Sequence, residues 1–254
     1  MKKYDVKNCK ILSAEKIADD IFDFVVYCPE FAPIAKPGQF AHIYVPGKTL
    51  RRPISICEID KENNTLRFVF QIRGDGTRIL SEFKAGMELD ILAPLGNGFT
   101  LKEKEKKALF VGGGIGVPPL LGGAKYYGEN ATVCVGFRNK GAVILEEDFK
   151  NAGCNIKIAT DDGSYGYHGL VTKLFEEEKP DIIYACGPTP MLKAVAAFAE
   201  KNGIECEISL EERMACGIGA CLGCAVKLRN DDNEEYNGHV CKDGPVFDYR
   251  KVVY

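Results

Sequence analysis

The sequence of 254 residues is poor in features that would point to several common functions. It contains three histidines, which disfavours a histidine-based hydrolase. Its net charge is -3, so it lacks the basic excess with which proteins attract nucleic acid. No apolar run reaches the length of a transmembrane helix. We therefore expect a protein that binds neither nucleic acid nor a membrane.

The amino terminus and the cysteines predict the compartment. Asp5 and Lys7 precede any long apolar run, so this end is not predicted to be a signal peptide. Eleven cysteines in a chain without such a signal favour the reducing cytoplasm, where thiolates stay available for metal. Seven of them have no ligand spacing and are predicted to be small buried hydrophobic residues. These are Cys9, Cys28, Cys57, Cys134, Cys154, Cys186 and Cys206.

Four cysteines near the end of the chain form the most distinctive motif. Three stand in C-x4-C-x2-C spacing and a fourth follows after sixteen residues, which is the plant-type pattern of a [2Fe–2S] cluster. The predicted ligands are Cys216, Cys221, Cys224 and Cys241. Glycines let a loop turn tightly and bring its backbone close to a small cluster. The loop has three of them, Gly217, Gly219 and Gly223.

Zinc and disulfide interpretations of these cysteines are weaker. A zinc site usually draws on two separated C-x2-C pairs or on histidine, whereas this region has one C-x2-C and His239. Disulfide frameworks belong to small secreted chains. Because four cysteines suffice for the cluster, His239 is predicted to be a surface or hydrogen-bonding residue and not a Rieske-type ligand.

The first part of the chain predicts an all-β unit. Segments 21–27, 39–45 and 65–71 are rich in β-branched and aromatic residues, and Pro, Gly and Asn clusters separate them. Short strands in series predict a small antiparallel barrel. His42 lies inside one of these strands, where we expect a packed or edge histidine.

Two motifs of this unit carry chemistry. Arg52 and Ser55 lie on one strand, with Pro53 fixing φ between them, and together suit a pyrophosphate or the edge of a flavin ring. Downstream, Gly74-Asp75-Gly76-Thr77 reads as a glycine turn that opens a short helix. The bare N–H groups at such a helix start form an anion site.

The middle of the chain predicts a nucleotide-binding α/β domain. The charged run 102–107 marks a boundary, and the strand after it runs into a glycine loop with Pro118 in the following helical turn. This strand–loop–helix unit suits a dinucleotide phosphate. Strands at 131–137, 156–160 and 181–186, with helical patterns at 170–176 and 190–199, predict a parallel sheet covered on both faces.

Two polar stretches of this domain bear on specificity. Arg138-Asn139-Lys140 follows the second strand, and its charges suit the 2′-phosphate of NADP. These residues therefore either favour NADP slightly over NAD or do not distinguish the two nucleotides. Asp161-Asp162-Gly163-Ser164 offers paired carboxylates at a strand end, but a solvated turn is the favoured interpretation.

The motifs together resemble the ferredoxin–NADP reductase superfamily. R-P-I-S followed by G-x-G-T is similar to its FAD-binding barrel, and G-G-G-x-G-x-x-P to its pyridine-nucleotide half. The resemblance implies FAD contacts at Arg52, Pro53, Ile54, Ser55, Val69, Phe70, Gln71, Gly76 and Thr77. It implies NAD contacts, with Cys186 near the nicotinamide, at Gly112, Gly113, Gly114, Gly116, Cys186, Gly187 and Pro188.

The whole layout resembles the electron-transfer subunits of class 1B dihydroorotate dehydrogenases. It implies a FAD barrel over 1–101, an NAD domain over 102–204 and a [2Fe–2S] subdomain over 205–254. It also implies an FMN-containing catalytic partner, a heterotetramer with two copies of each subunit, and electron flow from FMN through cluster and FAD to NAD⁺ in pyrimidine biosynthesis.

Two other functions stay open at this stage. The flavin subunit of an NAD(P)H-dependent ferredoxin:NADP oxidoreductase, or of a sulfide dehydrogenase, shares the three-part layout but has a different partner. A redox-sensing regulator would bind nucleotide without turnover, but the chain has no DNA-binding helix with a basic face.

Overall fold

Seven strands from the first hundred residues form one antiparallel sheet in the computed structural model, which describes residues 4–254. These strands are β1 (Asp5–Ala18), β2 (Ile21–Tyr27), β3 (Phe40–Ile43), β4 (Arg52–Ser55), β5 (Glu58–Asp60), β6 (Thr65–Gln71) and β7 (Glu88–Leu95). Their order across the sheet is β4-β3-β7-β1-β2-β6-β5, and α1 (Asp75–Ser81) follows β6.

This sheet curls so that β4 meets β6, and apolar side chains fill the enclosed side. On β6 the period of two is plain, because Leu66, Phe68 and Phe70 all point inward. On β3, Ala41 and Ile43 belong to the same core. The antiparallel barrel predicted from the sequence is confirmed.

The second sheet is built from parallel strands with helices between them. Its parallel strands are β8 (Ala108–Gly113), β9 (Ala131–Phe137), β10 (Asn155–Thr160), β11 (Tyr167–His168), β12 (Ile182–Cys186) and β13 (Glu205–Ser209). The helices are α2 (Leu121–Tyr127), α3 (Glu146–Asn151) and α4 (Thr189–Asn202). The strands lie in the order β11-β10-β9-β8-β12-β13.

Both faces of this sheet are covered, as the continuous apolar strands predict. Phe110 of β8 packs in one core with α2 and α3, whereas Leu109 and Val111 pack in the other with α4. No helix within residues 4–254 is long and apolar enough to cross a membrane.

Of the two helices predicted for this domain, one is present and the other is not. The pattern at 190–199 forms α4, which ends at Gly203 with φ +65° in the left-handed cap conformation. The pattern at 170–176 forms only a 3-10 turn, Val171–Leu174. Leu170 is 67% exposed, but Val171 is buried and Leu174 packs against the same core. A single 3-10 turn already brings residues three positions apart onto one side, so no full helix is needed.

The tail lies against both sheets. Strands β14 (Ala225–Arg229) and β15 (Glu235–His239) form a hairpin, and β16 (Val246–Asp248) pairs antiparallel with β13 at the edge of the second sheet. Asn97 after β7 fastens the tail to the barrel, since its Nδ2 donates to the carbonyl of Asp243 at 2.9 Å. The predicted domain boundaries stay predictions; β13, just past the second one, pairs with β12.

A network of ion pairs joins the barrel to the second domain. Arg67 on β6 pairs with Asp23 of β2 at 2.7 Å and with Glu58 of β5 at 3.3 Å. The same guanidinium reaches Asp148 on α3. Lys125 on α2 in turn pairs with Glu58. Charges from both domains thus meet at one mostly buried arginine.

Candidate functional site

The cluster loop, residues 216–224, turns its backbone towards the cysteine sulfurs. The N–H groups of Ile218 and Ala220 point at Cys216 Sγ, at 3.5 and 3.2 Å. The N–H of Gly219 points at Cys241 Sγ at 3.1 Å. Hydrogen bonds to sulfur of this kind surround thiolate-held iron in proteins. The loop therefore has the inward-pointing backbone that its glycines predict.

The environment separates two of the thiols by acidity. Burial raises the pKa of Cys216, but hydrogen bonds from the N–H of Ile218, from Cys221 and from the N–H of Ala220 outweigh it and lower the pKa to about 6. Burial and the neighbouring Cys224 thiol raise the pKa of Cys241 to about 12. Metal ligation requires the thiolate, which Cys216 forms more readily than Cys241.

The four thiols lie close enough to influence one another. Cys216 interacts with Cys221, and Cys241 interacts with Cys224 and with Cys216. Within residues 4–254, no three His, Cys, Asp or Glu side chains converge where one metal ion would sit. A [2Fe–2S] cluster takes two thiolates at each of its two irons, so it needs no point where three ligands converge. The residues present fit a [2Fe–2S] cluster better than a single zinc ion.

Glycine is required at two turns of the loop. Gly217 and Gly219 have φ of +72° and +79°, in the left-handed region. A Cβ on Gly217 would lie 2.5 Å from Nδ1 of His42 on β3, and one on Gly219 would lie 2.6 Å from the Lys242 side chain. The loop thus lies directly against the barrel.

A cavity of about 600 Å³, the barrel cavity, opens beside β4 and β6. Eight of the residues predicted to contact FAD line it: Arg52, Pro53, Ile54, Ser55, Val69, Phe70, Gln71 and Thr77. The ninth, Gly76, lies against the Arg52 guanidinium, where a Cβ would overlap it. The oxygen of Thr77 is held by the N–H of Arg73 at 2.8 Å, so it braces the glycine turn.

The tail forms much of the opposite wall, which sequence reasoning missed. Its lining residues are Ser209, Leu210, Glu211, Glu212, Arg213, Met214 and Pro245. Met214 lies two residues before the first cluster ligand and also packs with the apolar side chains around Cys224 and Cys241. Phe40 of β3 does the same from the barrel side. The cavity and the cluster loop therefore share a wall.

A second cavity of about 530 Å³, the sheet cavity, opens at the carboxyl ends of β8 and β12. Four predicted NAD residues line it, namely Gly113, Gly116, Gly187 and Pro188. The two glycine turns interlock, since a Cβ on Gly113 would lie 2.7 Å from Pro188 Cδ. This edge of a parallel sheet is where nucleotides bind in open α/β domains.

Of the other three predicted NAD residues, Gly112 and Cys186 are buried beneath this surface, whereas Gly114 is half-buried and has open space beside it. Gly112 packs against Val117, and Gly114 turns the chain with φ +53°. Cys186 is 1% exposed, and burial raises the pKa of its thiol. Its carbonyl lies under Gly116, where a Cβ would come within 2.5 Å. Cys186 thus supports the turn through its backbone.

The carboxyl end of the chain supplies another unforeseen part of the sheet cavity. Lys227 and residues 252–254 line it. Tyr254 lies under the Lys193 ammonium, which is 5.2 Å from the ring centre. These residues are far in sequence from the glycine turns, so no local pattern connects them.

The two cavities share a wall. Arg73, Ile115, Leu210, Glu211 and Glu212 border both of them. Burial raises the pKa of Glu211, against the opposing effect of Arg73. Groups bound in the two cavities would therefore meet across a few side chains.

The remaining sequence predictions have definite positions. All seven cysteines without ligand spacing are buried, which confirms their role as small hydrophobic residues. The backbone N–H of His239 donates to the Asp243 carboxylate at 2.7 Å, and Nδ1 of its ring lies 3.6 Å from the same carboxylate. Asp162 accepts hydrogen bonds from Ser164 within one turn. Lys140 lies over the Tyr165 ring.

Comparison with known proteins shows which family the chain resembles in sequence. Residues 211–253 match the model of the iron–sulfur cluster binding domain of dihydroorotate dehydrogenase B. The chain is 44% identical to the electron transfer subunit of dihydroorotate dehydrogenase B (NAD(+)) from Streptococcus mutans, covering 97% of this chain and 98% of that one. The subunit of the same name from Caldanaerobacter subterraneus subsp. tengcongensis is 43% identical, covering 96% and 97%.

A solved structure is similar over the same span. It is described as an NADH-dependent reduced ferredoxin–NADP oxidoreductase, with a TM-score of 0.84, 32% identity and coverage of 96% of this chain and 89% of that one. Barrel, parallel sheet and cysteine loop thus define an oxidoreductase subunit of the ferredoxin reductase type. Within that class, the chain belongs to the family of dihydroorotate dehydrogenase B electron transfer subunits, and the resemblance found in the sequence is confirmed.

Proposed function

We propose that this chain passes electrons from an FMN-containing, dihydroorotate-oxidising partner through a [2Fe–2S] cluster and FAD to NAD⁺. The observation that carries the proposal is the continuity of the three sites. Met214 and Phe40 border both the barrel cavity and the cysteine cluster, and Glu211 borders both cavities. Electron transfer requires such close neighbours, whereas independent binding modules do not.

The barrel cavity is the proposed FAD site. Arg52 offers a charged donor for the pyrophosphate or the flavin edge, and Ser55 follows it on the same strand. Val69, Phe70 and Gln71 of β6 form the adjoining wall. FAD can exchange electrons singly or as hydride, so it suits a place between a one-electron cluster and a two-electron nicotinamide.

The sheet cavity is the proposed NAD site. Gly113 and Gly116 let the nucleotide approach the backbone closely, and Gly187 and Pro188 form the facing turn. Gly112 and Cys186 are proposed to support these turns from below, and Gly114 is proposed to let the loop turn beside the nucleotide. Glu211, at the common wall, would lie where nicotinamide and flavin approach each other.

Cys216, Cys221, Cys224 and Cys241 are the proposed cluster ligands. The exposed residues beside them support a docking role for this end of the molecule. Leu222 is 75% exposed and Ile218 is 37% exposed, and both lie within the cluster loop. We place the catalytic partner at this face, in a cytoplasmic heterotetramer with two copies of each subunit.

The test is purification with native partners, followed by an assay of dihydroorotate-dependent NAD⁺ reduction. We expect a co-purifying FMN protein and reduction of NAD⁺ only when dihydroorotate is present. A large iron–sulfur flavoprotein as partner, with no response to dihydroorotate, would contradict the proposal. The same assay with NADP⁺ decides between the nucleotides, and we expect NAD⁺ to be preferred.

A further inference from the structure

His42 is the one buried histidine in the described part of the chain, and its surroundings are unusual. Its side chain is fully buried, at 0% exposure. Among residues 4–254, neither ring nitrogen has a partner at hydrogen-bonding geometry. Burying an unpaired polar group destabilises a fold, so an apolar side chain would pack here at lower cost. Packing alone therefore does not explain why a histidine occupies this buried position.

The position of His42 in β3 sets which way its ring points. Ala41 and Ile43, its neighbours, face the barrel core. Because strand side chains alternate, His42 faces the opposite way, on the side where Phe40 meets Cys224 and Cys241. His42 pairs across β3 and β4 with Pro53, which lines the barrel cavity.

The ring lies directly against the first part of the cluster loop. Its Nδ1 is so near Gly217 that a Cβ on that residue would lie 2.5 Å away. The carbonyl groups of Cys216 and Arg51 face the ring. A carbonyl only accepts hydrogen bonds, and a neutral imidazole carries a single N–H, which can point at one of these two carbonyls. With that N–H towards Cys216, the positive end of the imidazole dipole points at the peptide of a proposed ligand.

We propose that His42 is the positioning residue through which the barrel seats the Cys216 end of the cluster loop and favours the reduced state of the cluster. A group that supports a ligand's peptide fixes the ligand and changes the properties of the metal site. A positive dipole end near the cluster stabilises the added electron, and hydrogen bonding around the sulfurs sets cluster potentials. This inference rests on the proposed cluster function.

The test uses the purified full chain with its cluster and FAD in place. His42→Leu removes the dipole and keeps a similar volume, His42→Gln keeps an N–H donor, and His168→Leu on exposed β11 is the matched control. The readouts are the rate of cluster loss to a chelator and the ratio of reduced to oxidised cluster by electron paramagnetic resonance at a fixed NADH:NAD⁺ ratio.

We expect His42→Leu to lose its cluster about tenfold faster and to show a reduced-to-oxidised ratio about tenfold lower. His42→Gln should lie between this variant and wild type. NADH-driven bleaching of the flavin should be unchanged, because His42 lies on the cluster side of β3. Values for His42→Leu equal to those of His168→Leu would overturn the proposal.

If His42→Leu does not fold, His42→Met replaces it with the same expectations. If neither apolar variant folds, His42→Gln decides, since values identical to the control would overturn the proposal. Iron and acid-labile sulfide in the wild-type chain separate this test from that of the proposed function. Their absence after reconstitution would contradict the cluster assignment itself.

Discussion

The barrel meets the rest of the molecule through two surfaces that differ in charge. Towards the second domain lies the ionic surface, where the ion pairs of Arg67 adjoin apolar contacts of Ile21 and Val69. Towards the tail it is apolar, with Phe40 and Leu95 packed against Cys241 and Phe247. The apolar contact is the one that borders the cluster loop and the barrel cavity. The apolar surface therefore contributes directly to the environment of the proposed redox groups, whereas the Arg67 ion pairs lie away from it.

The largest effect is expected from Cys221→Ser, which removes a proposed cluster ligand beside the apolar surface. A hydroxyl replaces a thiolate ligand, so we expect the visible absorption of the cluster and its iron to be lost. FAD should stay bound, because the proposed FAD contacts on β4 and β6 belong to the barrel. Absorption spectra and iron and flavin analysis check this. Cys154→Ala, at a buried cysteine without ligand spacing, is the control that should keep its cluster. Loss of FAD together with the cluster would contradict the separation of the two sites.

Phe40→Ala tests whether the shared wall matters to both neighbours. Removing this buried ring should lower the free energy of unfolding by about 4 kcal/mol. It should also weaken FAD binding, because Phe40 lines the barrel cavity. Urea unfolding and flavin titration measure the two effects. Phe68→Ala, in the barrel core, should destabilise to a similar extent without the specific loss of FAD affinity. Equal FAD affinities in the two variants would contradict the claim that Phe40 belongs to both the barrel cavity and the surroundings of the cluster.

Arg67→Met breaks the ionic surface. The substitution leaves Asp23, Glu58 and Asp148 without their common cation, so we expect the free energy of unfolding to fall by about 3 kcal/mol. Cluster absorption and FAD content should be retained, because the network lies on the other surface of the barrel. Urea unfolding with cofactor analysis measures both. A stable variant that had lost its cluster would reverse the roles assigned to the two surfaces.

Arg52→Ala sharpens the account of the barrel cavity. Loss of one charge-assisted contact should cost about 2 kcal/mol of FAD binding, or about 30-fold in affinity. The neighbouring Arg51 is a matched control, because it pairs with Asp90 at 2.9 Å and does not face the cavity within the described structure. Flavin retention on purification and titration of the apoprotein measure the difference. Equal retention by both variants would remove Arg52 from the site.

The smallest effect on stability is expected from breaking an exposed ion pair, which serves as a reference for the buried Arg67 network. Lys173 pairs with Glu176 at 2.8 Å on the exposed surface, three residues apart. Lys173→Met should leave the free energy of unfolding nearly unchanged, since solvent and salt screen such pairs. The same urea experiment measures it. A loss as large as that of Arg67→Met would show that ion pairs contribute equally wherever they lie in this fold.

Much of this arrangement could be predicted from short motifs. The cysteine spacing, R-P-I-S and the glycine loop each place their residues within a few positions of one another, so local geometry decides what they do. The lining of the barrel cavity by Arg52 and Thr77, and of the sheet cavity by Gly113 and Gly187, agrees with those motifs.

The remainder depended on contacts between distant parts of the chain. Met214 reaches the barrel cavity and Tyr254 the sheet cavity only because the tail folds back across both sheets. In the sequence, His42 is a strand histidine without a partner, and the loop that covers it comes 174 positions later. The helix predicted at 170–176 was wrong because apolar residues three positions apart lie on one side of a 3-10 turn as well as of an α-helix.

The central claim is that one path joins the nucleotide, the flavin and the cluster within this chain. Anaerobic titration of the purified wild-type chain with NADH tests it, with flavin absorption and electron paramagnetic resonance recorded on the same samples. The account predicts bleaching of the flavin together with the signal of a reduced [2Fe–2S] cluster. A flavin that bleaches fully while the intact cluster stays oxidised would contradict it.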